Sequence, residues 1–498
     1  MKLDIIFILL IAVLFNAACG GGKNKTKKSN QKETFVSAVG MGCEMKQEVY
    51  DRAMVFEPLA KESKKYHIPS RVSLEKYAPT PKNQGAQGSC VGFSSCYAAR
   101  SILYSIATGK DPNEVNFSPA YVYNQIKVAG CTEGSYILDA MNKLRDEGVL
   151  PLSEFPYNEN DCNKLPTNEQ KQKAGAYKTL GYTRLTKSDN NYEIDLEALK
   201  QNVAQGSPVV LAMPVGGSFY ELRGKKIWRP NQSDWVEINR YKNRQPSKFG
   251  GHAMCLIGYD DNLEGGCVQI MNSWGTDFGE NGFFWMTYND FLACCREAYA
   301  LHPMGSIKID DNNNVEIQKT PDFEAEIALY VKKEKAYFPL KYKSGYTFAT
   351  PQRMPKNTRF KIELTNNSVC YAYVIGQETD GSSYILFPYT KKHSPYFGIT
   401  GTRLFPKEES MRLDEIGNKD YMAIILSKDE LNIQEINERI SKSTAPTYEQ
   451  RIREVLQQDL IPIKDIQFEV SADGVGAKFS ANSKDKNALF MVIEINKQ

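Results

Sequence analysis

The sequence predicts an α+β, two-lobed domain followed by a mainly-β C-terminal domain, and three observations carry that prediction. Helical patterns dominate from residue 90 to about 150. Beyond residue 175 the pattern changes to β-branched and aromatic runs bounded by turn residues, and from about Phe323 short runs of this kind continue to the end. Finally, 498 residues with 41% hydrophobic content can bury sizeable cores, about two to three domains by length. A net charge of +3 is nearly neutral and implies no nucleic-acid or strongly charged partner.

Taken in order, residues 1–19 read as an export signal. Lys2 precedes an apolar run from Ile5 to Phe15 that is too short to span a bilayer as a stable helix, and small residues lead to Cys19. Cys19 follows Ala17-Ala18 and precedes Gly20-Gly21-Gly22, which resembles a bacterial lipoprotein cleavage site. The resemblance implies a lipidated Cys19, membrane attachment through the N-terminus, and a place in the cell envelope, as an outer-membrane lipoprotein or a secreted protein. Residues 20–65 form a tether or short pro-region, of which 23–32 are basic, polar and without periodicity.

The stretch Lys82-Asn83-Gln84-Gly85-Ala86-Gln87-Gly88-Ser89-Cys90-Val91-Gly92-Phe93-Ser94 is a Gly-rich loop running into a helix. Phe93, Cys96, Ala99, Leu103 and Ile106 fall on one side, so an amphipathic helix is predicted with Cys90 in its first turn. Unsatisfied N–H groups and the positive end of the helix dipole favour a thiolate there. An acyl-transferring thiol also needs a base, and a third group to orient that base. Of the four histidines, His252 stands at the start of a strand-like run, preceded by Gly250-Gly251. Twenty residues on, Asn272 can accept from the imidazole N–H, and Trp274 can shield that bond.

These stretches, Gln84-Gly85-x-x-Gly88-Ser89-Cys90, Gly251-His252-Ala253 and Asn272-Ser273-Trp274-Gly275-Thr276-x-x-Gly279-Glu280-Asn281-Gly282, resemble the papain family of cysteine peptidases over roughly residues 66–303. The resemblance implies Cys90 as nucleophile, His252 as general base and later acid, and Asn272 as the orienting residue. It makes Gln84 the oxyanion-hole side chain, acting with the Cys90 N–H. Cys131-Thr132-Glu133-Gly134-Ser135-Tyr136 resembles the loop whose backbone pairs with substrate as an added strand, which makes Gly134 and Ser135 substrate contacts. Ala212 and Ala253 correspond to the pocket for the residue two before the cut, with room for a bulky apolar side chain, or else are ordinary strand packing. The family's second bridged loop implies a disulfide between Cys131 and Cys162 among the eleven cysteines.

Departures are present. Gln87 stands where most members have a bridged cysteine, Val91 replaces an aromatic, and Gly251 replaces Asp or Asn. Residues 33–65 are too few for a long helical inhibitory segment, so either the enzyme is made active or this short piece, with Cys43, covers the cleft. Elsewhere, Ser118 caps a helix with Pro119 at its first position, and Asp139 to Glu147 run as a helix into Gly148. Strands are predicted at 209–213, 252–259, 268–272 and 282–287. Residues 222–248, with Trp228, Arg229 and Trp235, are an insertion that rims the cleft or forms a surface loop.

The C-terminal domain, 304–498, opens with Asp310-Asp311-Asn312-Asn313-Asn314, which lacks the glycine and distant Glu of an EF-hand and reads as a hairpin turn. Strands at 360–364, 370–375, 384–387, 421–426, 466–470 and 489–495 and one helix at 448–457 follow. Residues 355–435 resemble a bacterial all-β accessory domain found beside peptidases and kinases. The whole chain thus reads as an exported cysteine endopeptidase acting on protein or peptide substrates, needing no metal or organic cofactor. The same machinery suits an acyl transferase or transpeptidase, and a catalytically silent surface binding protein is the alternative from another class.

Overall fold

The computed structural model describes residues 40–498, apart from 311–313, 472–473 and 484. The export signal, Cys19 and the first part of the tether lie outside the described residues. Among the described residues no helix is long and apolar enough to cross a membrane.

The helix that starts at Cys90 runs without a break through Cys90–Gly92, Phe93–Arg100 and Ser101–Thr108, and ends where Gly109 turns to φ 70°. Its middle stretch takes the wider π-type turn, a form that recurs near functional sites. The sequence predicted an amphipathic helix, but both of its sides are buried: Cys96, Ala99 and Leu103 on the expected side, and Val91, Ala98 and Ile102 on the other. The reason is its central place, between the main sheet and the helices Pro119–Ile126 and Ile137–Asp146. The Ser118 cap forms as expected, its hydroxyl accepting from the Tyr121 N–H at 3.1 Å.

The sheet of the second lobe runs in the order Tyr182–Arg184, Glu297–Leu301, Val209–Val215, Gly250–Asp260, Cys267–Met271, Phe283–Thr287, Ile227–Trp228. Its central strands are buried along nearly their whole length, which explains their apolar runs. The 222–248 insertion is not an irregular loop, and its Tyr241, Lys242 and Arg244 line a cavity beside Met45. It supplies the edge strand Ile227–Trp228 and the helix Gln232–Lys242, started by an Asn231–Asp234 capping box. Trp228 is buried, with its ring 4.8 Å from that of Phe219.

Residues 323–496 form two seven-stranded sheets whose inner residues, such as Ile327, Leu364, Val374, Ile424 and Val492, share one hydrophobic cluster. Two helices flank them, Ile433–Lys442 and Tyr448–Leu456, of which only the second is expected from the sequence. Strands Ile307–Ile309 and Val315–Ile317 pair antiparallel across the expected hairpin, whose tip at 311–313 lies outside the described residues.

Residues 51–60 stitch the two regions together. Val55 exchanges backbone bonds with Lys392 and Ser394 at 2.7 and 2.9 Å, while the next amide, Phe56, donates to Arg184 at 3.1 Å. The buried Arg403 guanidinium donates to the Glu57 carbonyl at 3.0 Å and to Asn366 Oδ1 at 2.7 Å.

Candidate active site

The fold brings Cys90, His252 and Asn272 together from the central helix, the strand Gly250–Asp260 and the turn after Cys267–Met271. Asn272 Oδ1 accepts from the Ser273 N–H at 2.8 Å, which fixes the orientation of its amide. The same oxygen lies 2.8 Å from His252 Nε2, so that nitrogen carries the proton and donates. His252 Nδ1 is then the lone-pair nitrogen, buried and without a protein partner. The next residue on the strand, Ala253, donates its N–H to Cys90 Sγ at 3.4 Å, which sets the sulfur beside the base. Trp274 lies against the imidazole, ring centroids 4.8 Å apart, and keeps water from the His252–Asn272 bond.

Gln84 is fully buried, and its amide is held at both ends. Oε1 accepts from Ser273 Oγ at 2.6 Å, and Nε2 donates to the Gln87 carbonyl at 2.8 Å, leaving the second N–H of the amide. Its backbone is anchored too, because Gln84 N donates to the Ser273 carbonyl at 2.9 Å and the Gln84 carbonyl accepts from Tyr157 Oη at 2.7 Å. Neither Ser273 nor Tyr157 is expected from the sequence to hold Gln84. Ser273 was visible inside the Asn-Ser-Trp run, whereas Tyr157 offered only its place in Phe155-Pro156-Tyr157. Cys131 and Cys162 are disulfide-bonded, which ties the Gly134–Ser135 loop to the segment behind it. Among the described residues, no group of three or more His, Cys, Asp or Glu side chains is placed to hold a metal ion.

The cleft is filled by the chain's own residues 40–45, here called the strap. Gly40 N donates to the Gly85 carbonyl at 2.9 Å, Cys43 N to Gly251 at 3.0 Å, and Glu44 N to Ser135 at 3.0 Å, while Ser135 N donates to Gly42 at 2.9 Å. Cys43 and Ser135 therefore pair as parallel strands. The fit requires glycine: a Cβ on Gly42 would stand 2.1 Å from the Gly88 carbonyl oxygen, and one on Gly134 2.4 Å from that of Gly42. Of the two alternatives left open for residues 33–65, the structure contains the covered cleft.

The strap also sets the electrostatics. Burial pushes the Cys90 thiol up to about 11, against the pull of N–H groups from Ala253, Gly42, Val91 and Cys90 itself. It pushes His252 down to about 4, opposed by the bond to Asn272. The thiolate predicted at the helix start is thus a neutral thiol here, because loss of water outweighs the helix terminus. Gly42 presents an N–H to the sulfur, where a substrate must present a carbonyl carbon, so the strap is seated as a blocker.

Comparison with known proteins finds similarity over this part of the chain. The family model "Papain family cysteine protease" matches residues 68–304, a little under half the chain. An uncharacterized peptidase C1-like protein of Acanthamoeba polyphaga mimivirus is 26% identical over 213 residues, covering 41% of this chain and 63% of the relative. Cathepsin B-like CP3 of Giardia intestinalis is 27% identical over 215 residues, with the same coverage of 41% and 63%. The chain thus spans less than two thirds of the length of these relatives. Among solved structures, xylellain, a cysteine protease from Xylella fastidiosa, is 25% identical with a TM-score of 0.41, covering 53% of this chain and 96% of that one. Residues 68–304 form a papain-family cysteine protease domain.

Proposed function

We propose that the chain is a cysteine endopeptidase held latent by its own strap. The observation that carries the reading is the bond between His252 Nε2 and Asn272, which leaves a buried, partnerless Nδ1 next to the strand amide that touches the Cys90 sulfur. Once the strap leaves, water and substrate enter, and the thiol passes its proton to Nδ1 as it adds to the peptide carbonyl carbon. The Cys90 N–H at the helix start and the free N–H of Gln84 hold the oxygen as it becomes negative. His252 then gives that proton to the leaving amine, which breaks the C–N bond and leaves a thioester on Cys90. Water, deprotonated by the same nitrogen, releases the acid and restores the thiol.

Strap release is part of the reading, because four backbone bonds hold a non-reacting segment over the sulfur. Substrates are proteins or peptides that pair with Gly134–Ser135 as an added strand, in the strap's place. Export and lipidation at Cys19 belong to the proposal as well, supported by the sequence of residues 2–19 alone. The test is intact-mass analysis of the chain treated with an epoxysuccinyl thiol reagent, beside Cys90→Ala and a peptide library. A single adduct on Cys90 that abolishes cleavage is the expected result. Cleavage that survives either the adduct or Cys90→Ala would remove Cys90 from the chemistry.

A further inference from the structure

The loop from Gln84 to Cys90 contains no bridged cysteine. Gln87, which stands where most members of the family have one, is buried, and its Nε2 donates to the Asn158 and Glu159 carbonyls at 3.2 and 3.3 Å. Both acceptors are carbonyls, so the orientation of the amide is fixed. The Glu159 side chain folds over Gly85, into the space that a Cβ there would fill. Residues 157–159 therefore lie along the loop and take the place of a covalent tie.

Tyr157 is the centre of this contact. Its hydroxyl oxygen lies 2.7 Å from the Gln84 carbonyl and 2.8 Å from Ser89 Oγ. A carbonyl only accepts, so the one phenol proton goes to Gln84, and Ser89 donates to the phenol oxygen. Burial raises the phenol pKa, which keeps that proton in place. The ring stands edge-on to Phe93 in the first turns of the central helix, centroids 4.8 Å apart. Gln84 and Ser89 are both fully buried, and the Ser89 side chain makes no capping bond to the helix, so its hydroxyl is left for the phenol. One oxygen thus spans the loop, from the residue whose amide supplies one oxyanion donor to the residue that precedes the other.

Two donors stabilise a developing oxyanion only when both point at it, and a misplacement of an ångström at such a site costs about a hundredfold. We propose that Tyr157 is a positioning residue for the oxyanion hole, its hydroxyl holding the Gln84 amide in register with the Cys90 N–H in a chain that lacks the bridge. This rests on the peptidase reading of the same cleft.

The experiment compares the full chain with Tyr157→Phe, which keeps the ring and removes the hydroxyl, and with Ser89→Ala, which leaves the bond to Gln84 and removes its outer partner. Hydrolysis of a fluorogenic peptide gives kcat and KM. A peptide nitrile gives a binding constant without turnover: the Cys90 sulfur bonds to the nitrile carbon, one C–N π bond opens, and the thiol proton passes to the nitrogen, which takes the place of the substrate oxygen. Alkylation by iodoacetamide displaces iodide at a saturated carbon, so it needs no oxyanion hole and reports access past the strap. Tyr157→Phe should lower kcat and weaken nitrile affinity by about tenfold or more, with KM and the alkylation rate changed by less than about twofold. Ser89→Ala should give a smaller loss in the same two readouts, and it decides the matter where Tyr157→Phe does not fold. Unchanged kcat and nitrile affinity overturn the assignment. A loss that alkylation shares also overturns it, because the hydroxyl would then hold the fold or the strap. Nitrile addition without hydrolysis in the unsubstituted chain would remove the peptidase reading, while the nitrile ratio still decides the role of Tyr157; a chain that does neither overturns both.

Discussion

Gly42→Val should open the cleft. The strap is held by four backbone hydrogen bonds, from Gly40 to Gly85, Cys43 to Gly251, Glu44 to Ser135 and Ser135 to Gly42. At about 1 kcal/mol net for each, they favour the closed state by about 4 kcal/mol, or roughly a thousandfold. A Cβ at residue 42 would stand 2.1 Å from the Gly88 carbonyl oxygen, and both parties are backbone, so the strap must lift. Lifting residue 42 breaks its bond with Ser135 and, at the next residue, the bond to Gly251. The loss of about 2 kcal/mol multiplies the open fraction about thirtyfold. The assay is the rate of Cys90 alkylation by iodoacetamide, read by intact mass beside peptide hydrolysis, with Lys46→Ala as a strap control that leaves residue 42 seated. An unchanged alkylation rate in a folded Gly42→Val chain would refute the reasoning, because the strap would then not limit access to the thiol.

Protonation of His252 should loosen the strap. Closure holds His252 neutral at about 4, against about 6.5 for a solvated histidine, so between these values the open form gains through His252 as pH falls, while Glu297, which burial raises to about 8, holds its proton in the closed form and opposes that gain. Protection of the Cys43 and Glu44 amides against hydrogen exchange, corrected for intrinsic rates, should therefore fall with pH across that window relative to the same measurement in His252→Ala; an identical pH dependence in the two chains would remove His252 from the effect. His252→Ala should abolish hydrolysis, whereas Asn272→Ala should reduce kcat less, because Asn272 orients the ring through one 2.8 Å bond without exchanging a proton with substrate; equal losses on a peptide substrate would argue against a purely orienting role. Removing the disulfide by Cys131→Ala with Cys162→Ala opens a loop of 31 residues and should lower unfolding free energy by about 3.7 kcal/mol, measured by urea titration. An unchanged midpoint would mean that the loop is held by its other contacts.

The parts of the site that chemistry confines to short runs were legible in the sequence. A nucleophile needs a turn and a helix start, so Gln84 to Cys90 is contiguous, and the base and its orienting amide each sit in a run with recognisable neighbours. What depends on distant pairing was not legible. Glu297 reaches Ala212 only through strand register, and Met41 to Met45 have no periodicity, so nothing local says that they lie over a thiol. The thiolate expected at the helix start failed for a related reason, since a local dipole argument cannot know what covers the residue. By contrast, the helix Ile433–Lys442, not expected above, does carry a local signal: Asn432 caps it, and Ile433, Ile436 and Ile440 recur at helical spacing. In the insertion at 222–248, Trp228 proved to be an anchor for Phe219, a contact across sequence that composition does not reveal.

The most direct test of the account is to look for the acyl group itself. The full chain, mixed with a nitrophenyl ester of a short peptide and quenched rapidly in acid, is read by intact mass and peptide mapping. The account expects one acyl group per chain, on Cys90, released with the same rate constant as the slow phase of turnover and absent from Cys90→Ala. Turnover with no acyl group on Cys90, or acylation that persists in Cys90→Ala, would contradict it.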